Sequence, residues 1–167
     1  MDGLFLLSQV INSNIKEDNM INYKKRLPVK EPKIILKVIE DAIKQNDNIY
    51  ALFLESSALE SYLSSMLIIS RKSNEKPYKG VIDSIQKMNF RTLLTVNNVL
   101  GNIDNDLYKR LNKFYDERNK IAHEMIGIDF NDAQNNESIK FIIDEGFKLC
   151  AEVSKIHESK LEKFSYM

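Results

Sequence analysis

Apolar residues recur along most of this chain at the three-, four- and seven-residue intervals of helices that bury one face, and no run alternates as a strand would. Ile34, Ile35, Val38, Ile39, Ala42 and Ile43 predict a helix that opens at Pro32, where proline suits a first turn, and stops at the polar break Gln45-Asn46-Asp47-Asn48. A second helix, from about Asp47 to Arg71, carries Ile49, Leu52, Phe53, Ser56, Leu59, Leu63, Met66 and Leu67 on one face. Its other face holds Glu55, Ser57, Glu60, Ser61, Ser64 and Ser65, small or charged residues that would let a helix or a second subunit come close. After the loop Ser73-Asn74-Glu75-Lys76-Pro77, a short helix over 78–88 points Val81, Ile82, Ile85 and Met88 inward. Another short helix follows Asn89 and ends near Leu100, with Gly101 as its cap.

The next helix spans about Asp104 to Met125, with Asp104 as N-cap and Leu107, Leu111, Phe114, Ile121 and Met125 as the core stripe. Arg118 interrupts that stripe. An arginine in register with leucines must snorkel out or meet an anion or acceptors, because an unpaired buried charge is expensive. Asn119 and His123 lie four apart and are therefore neighbours on the helix surface. After Gly127 and a polar loop, a last helix from about Glu137 to Phe164 carries Ile139, Ile142, Ile143, Gly146, Leu149, Cys150, Val153, Ile156, Leu161 and Phe164 in one stripe. At 1.5 Å per residue it spans roughly 42 Å, longer than one small bundle needs, so its end projects or packs on a partner. The pattern predicts an all-α, up-and-down bundle of four principal helices with short extra ones, over residues 32–167. Residues 1–31 read as an N-terminal segment and a linker, extended around Pro28 and Pro32. The cluster Lys24-Lys25-Arg26 reads as a solvated part of that linker.

Length and charge narrow the function classes. A chain of 167 residues is one domain by size, able to bury about 70% of its unfolded surface without staples. Its 24 basic residues balance its 24 acidic ones, so no whole-molecule field draws it onto nucleic acid and any RNA contact is local. Cys150 is the single cysteine and falls in an apolar stripe, which points to a buried thiol and a reducing, cytoplasmic setting. The apolar run Leu4-Phe5-Leu6-Leu7 lacks a basic leader and is too short to span a bilayer, so no membrane partner is expected. No Gly-rich phosphate loop and no His or Cys pair at metal spacing occurs, so neither cofactor nor metal is expected. His157, close to the last stripe, reads as a structural or surface histidine.

Arg118-Asn119-Lys120-Ile121-Ala122-His123 resembles the arginine, asparagine, three residues, histidine form of the Rx4-6H motif of the HEPN superfamily, small helical domains many of which are metal-independent ribonucleases. The motif closes a long amphipathic helix, apolar residues precede its histidine, and the resemblance extends over about Lys33 to Phe164. It implies a HEPN-type bundle that cleaves RNA at a composite site between two copies, with Arg118, Asn119 and His123 as catalytic residues. The implied partners are an RNA substrate, a second copy of the chain and, for the toxin branch, an antitoxin protein. In one toxin branch the motif continues as histidine, any residue, tyrosine, and a companion antitoxin modifies that tyrosine; here Met125 occupies the position.

The residue chemistry accords with such a reaction. An imidazole with an unperturbed pKa near 6.5 can move protons at neutral pH, and a guanidinium offers a fixed, charged fork to phosphate oxygens. Asn119 would hold the imidazole or the phosphate. Arg118 and His123, five residues apart, diverge by about 140° and 7.5 Å on a helix, so one copy does not converge both on one phosphate. A two-fold partner would, with an interface expected to include the 104–125 and 47–71 helices. Glu55 and Glu60 are candidates to pair with Arg118 or orient His123, against the plainer expectation of exposed carboxylates on a solvated face. Two other functions remain open: a helical interaction module that dimerises without chemistry, and a nucleotide-binding sensor.

Overall fold

The computed structural model describes residues 32–70, 79–124 and 137–165, and these form six helices with no strand among them. They are α1 (Pro32–Lys44), α2 (Asn48–Ile69), α3 (Lys79–Gln86), α4 (Phe90–Val99), α5 (Asn105–Glu124) and α6 (Glu137–Ser165). The N-terminal segment and linker expected over 1–31, the loop at Ser73–Pro77, and Met125 to Asn136 lie outside the described residues.

Local chemistry sets the helix ends. Asp47, Asn89 and Asp104 each accept a backbone N–H three residues on, from Tyr50, Thr92 and Leu107, which satisfies one of the unpaired donors of a first turn. At the end of α4 the chain turns through Gly101 at φ 69°, so that the N–H of Asn102 bonds the Asn97 carbonyl at 2.8 Å and that of Gly101 bonds Asn98 at 2.9 Å. The end of α1 repeats this geometry with Asn46 at φ 57°, Asp47 N–H bonding Ala42 and Asn46 N–H bonding Ile43.

Packing is centred on α2, which touches α1, α3, α4 and α6; α5 leans on α4 and α6, and α1 also touches α6. The expected inner residues Leu52, Ser56, Leu59, Leu63, Met66 and Leu67 are buried, but so are Ala51, Leu54, Glu55, Ala58, Tyr62, Ser65 and Ile69 on the other side. Only a strip through Phe53, Ser57, Glu60, Ser61, Ser64 and Ile68 is left wholly or partly open past the first turn. Among the described residues α2 is also the one helix long and apolar enough to cross a membrane, and 67% of its apolar window is buried by the protein's own helices. Ile34 and Val81, expected inward, are 56% and 46% exposed, and α3 buries no residue completely.

A buried amide clamp ties the far end of α2 to α4. Asn97 donates to the carbonyls of Leu63 (3.0 Å) and Leu93 (2.8 Å), and its own oxygen accepts from Asn102 Nδ2. Asn102 Oδ1 in turn accepts from Ser70 Oγ, completing a chain of paired groups in the core.

Candidate functional site on the fifth helix

Leu107, Leu111, Phe114 and Ile121 are buried as the stripe requires, which fixes the rotation of α5 about its axis. That rotation decides where the motif residues go. Arg118 lies one turn beyond Phe114 on the inward side and is half-buried. Its Nη1 donates to Asn119 Oδ1 at 3.1 Å. Glu60 of α2 lies within electrostatic reach: loss of solvent around it raises its carboxyl pKa, and the Arg118 cation pulls it back down, although Glu60 is exposed by area and no direct ion pair joins the two. Of the two carboxylates considered for Arg118, Glu60 is the one whose charge Arg118 stabilises, through the field and without a direct bond. His123 projects from the last turn on the opposite side of the helix, exposed, with no bond to another described residue. Arg118 and Asn119 are thus brought together, and His123 is not joined to either.

The outer face of α5 is polar and braced. Arg91 of α4 pairs with Asp116, which also accepts from Asn112 at 3.3 Å, and the Arg91 guanidinium sits 5.9 Å above the Tyr115 ring. Tyr115 stacks on Phe90 at a centroid distance of 4.7 Å. Arg110 bonds Asp106 at 2.9 Å and reaches both oxygens of Glu152 on α6, at 2.7 and 2.8 Å. These contacts hold α5 in register with both neighbours.

A second set of ionisable groups lies inside, between α2 and α6, and the pattern of the sequence did not reveal it. Glu55, expected on a solvated face, is fully buried and neither carboxylate oxygen has a hydrogen-bond partner. Burial pushes its pKa up to about 9, with a smaller push from Asp144, so the side chain is a neutral acid at neutral pH. The space for it comes from Gly146: a Cβ there would run into Glu55 Oε2 and lie 2.5 Å from a Phe114 ring carbon. Cys150 is buried as expected, its thiol pKa raised by burial and by Glu55, and Sγ donates to the Glu55 carbonyl at 3.5 Å. Two turns along, His157 Nε2 lies 2.8 Å from Ser65 Oγ and its ring packs on Tyr62 at 5.5 Å. A hydroxyl beside an imidazole resembles an activated nucleophile, but this pair has no exposed surface at His157 and no group bonded to Nδ1 to orient the ring. Burial lowers the His157 pKa, keeping the ring neutral, and its role is structural. Gly146 at a core position of the last stripe was the available signal that α2 had to place something bulky opposite.

Among the described residues no group of three or more His, Cys, Asp or Glu side chains is placed to hold a metal ion. No family model, curated protein or solved structure matches the chain.

Proposed function

We propose that this chain is a metal-independent endoribonuclease of HEPN type, an up-and-down helical bundle acting as a homodimer in the cytoplasm, as a toxin or defence effector. The observation that carries the reading is the division of labour on α5: a half-buried Arg118 steadied by Asn119 and the field of Glu60, and an exposed His123 whose ring is free of other described residues. A cation braced in this way is suited to stabilising charge, and an exposed imidazole to proton transfer. In the reaction, a base takes the proton of the ribose 2′-hydroxyl and the 2′-oxygen bonds to phosphorus. The P–O5′ bond then breaks, an acid protonates the departing 5′-oxygen, and a 2′,3′-cyclic phosphate and a 5′-hydroxyl remain. His123 moves the protons, Arg118 neutralises the pentacovalent phosphate, and Asn119 positions Arg118. Because the two charged members diverge on one helix, the site is completed by the second copy, with α5 and the open strip of α2 near Glu60 at the interface.

A second reading has its own support. Arg118 bonded to its neighbour and facing Glu60 is what a purely structural arginine would do, which favours a dimerising or nucleotide-binding module without catalysis. Incubation of wild type, Arg118→Ala and His123→Ala with total and transfer RNA in EDTA separates the two. Cleavage that leaves cyclic phosphate ends and drops by about a hundredfold or more in the folded variants is the expected result. Absence of cleavage by a folded wild-type dimer would assign the chain to the module reading.

A further inference from the structure

The outer face of α5 carries a row of cations that the chemistry above leaves unused. Lys109, Lys113 and Lys120 are exposed, and His123 follows one turn on; steps of four, seven and three residues return to nearly the same side of a helix. With Arg91 of α4, these lysines line an open groove whose acidic residues are Asp116 and Glu117. Both acids are engaged, Asp116 by Arg91 and Glu117 by Lys120 at 3.1 Å. Lys109 and Lys113 keep their charge unmatched by any described residue. Two lysines four apart on a helix repel and cost stability unless an anion bridges them. In a chain with no net charge this is a local excess, and it lies on the same side of the helix as the exposed imidazole, which follows about 15 Å beyond Lys113 by helical rise.

We propose that Lys109 and Lys113 begin a backbone-binding track for single-stranded RNA that runs along α5 to His123. The proposal rests on the ribonuclease reading and adds where the substrate lies: along the outer face of α5. The row is about 21 Å long by helical rise, enough to follow several phosphates of an extended strand. Exposed lysines act as point charges on phosphate, so the track holds the strand without reading its sequence. An acidic protein surface would also satisfy the charge, but such a partner gives no reason for the row to end at an imidazole.

The test uses the full chain and a fluorescein-labelled single-stranded RNA dodecamer with every 2′-hydroxyl methylated, so that it binds but is not cleaved. Fluorescence anisotropy in about 0.1 M salt should show Lys109→Glu/Lys113→Glu binding at least about tenfold more weakly than wild type, with the log–log salt slope reduced by about 1.4 for two lost phosphate contacts. Lys155→Glu, an exposed charge reversal on α6, should leave affinity unchanged. Equal affinity of wild type and double variant overturns the track, as does a wild type that binds polyglutamate and not RNA. The two proposals fail separately. Loss of binding in the double variant beside a wild type that cleaves no RNA keeps the track and removes the nuclease, whereas cleavage with unaltered binding does the reverse.

Discussion

At the joint of α2 with α4, Asn97 and Asn102 are buried with their amide groups bonded to Leu63, Leu93, Ser70 and each other, whereas between α2 and α6 Glu55 is as deeply buried with neither oxygen bonded. The same helix thus carries a saturated polar contact at one end and an unsaturated one at its middle. The clamp fixes direction: each amide has one arrangement that satisfies it, so α2 and α4 meet at one angle and register. The acid fixes nothing by bonding. It is tolerated because it keeps its proton, and it is located by shape, in the gap that Gly146 leaves against Phe114. A buried polar group can therefore specify a contact or merely be accommodated by it, and the two differ in what substitution and pH do to them.

The largest expected effect is at the acid. Folded Glu55 holds its proton up to about pH 9, while in the unfolded chain it loses it near the ordinary value of 4.5. The folded chain therefore binds more protons across that window, and stability falls as pH rises through it, by about 1.4 kcal/mol per unit for this one group. Glu55→Gln, which cannot ionise in either state, should be more stable than wild type by about 3 kcal/mol at pH 7 and nearly equal to it at pH 4.5. Urea denaturation at several pH values measures this, and parallel curves for the two proteins would show that Glu55 is charged in the fold. At the clamp the sign reverses. Asn97→Ala should cost about 2 kcal/mol at every pH, because the Leu63 carbonyl and the Asn102 amide lose their partners inside the core. A loss under about 0.5 kcal/mol would mean that the clamp is decoration. The smallest effect is at the gap: Gly146→Ala gains helix propensity but overpacks, for a net loss of about 1–2 kcal/mol. Combining it with Glu55→Ala should recover part of that loss, the Phe114 contact remaining, and strictly additive losses would break the link between glycine and acid.

Much of the fold was written in local signals. Asp47, Asn89, Asp104 and Gly101 mark helix ends in the sequence and do so in the structure, since caps depend on neighbours a few residues away. The stripe of α5 placed Leu107 through Ile121 correctly for the same reason. The far side of α2 was legible in part: its small residues do let α6 approach, as expected, but Glu55 was not expected to be buried. Periodicity assigns polar residues to solvent, but α2 is surrounded, and whether Glu55 or Ser65 is outside depends on Gly146 and His157, some ninety residues later. Asn97 and Asn102 carried no signal of the clamp in the sequence, because their partners on α2 are more than thirty residues away. At the candidate site, the divergence of Arg118 and His123 was legible from helical geometry. Which carboxylate faces Arg118 was not, because it turns on how α2 and α5 are rotated.

The joint between α1 and α2 leaves the chain no slack. Gln45, Asn46 and Asp47 each give their N–H to the end of α1, and Asp47 at once receives Tyr50 and Ala51 from the start of α2. Three successive N–H groups of the corner are thus spoken for by α1 before α2 begins. The corner therefore ties the end of α1 directly to the start of the helix around which the core is built.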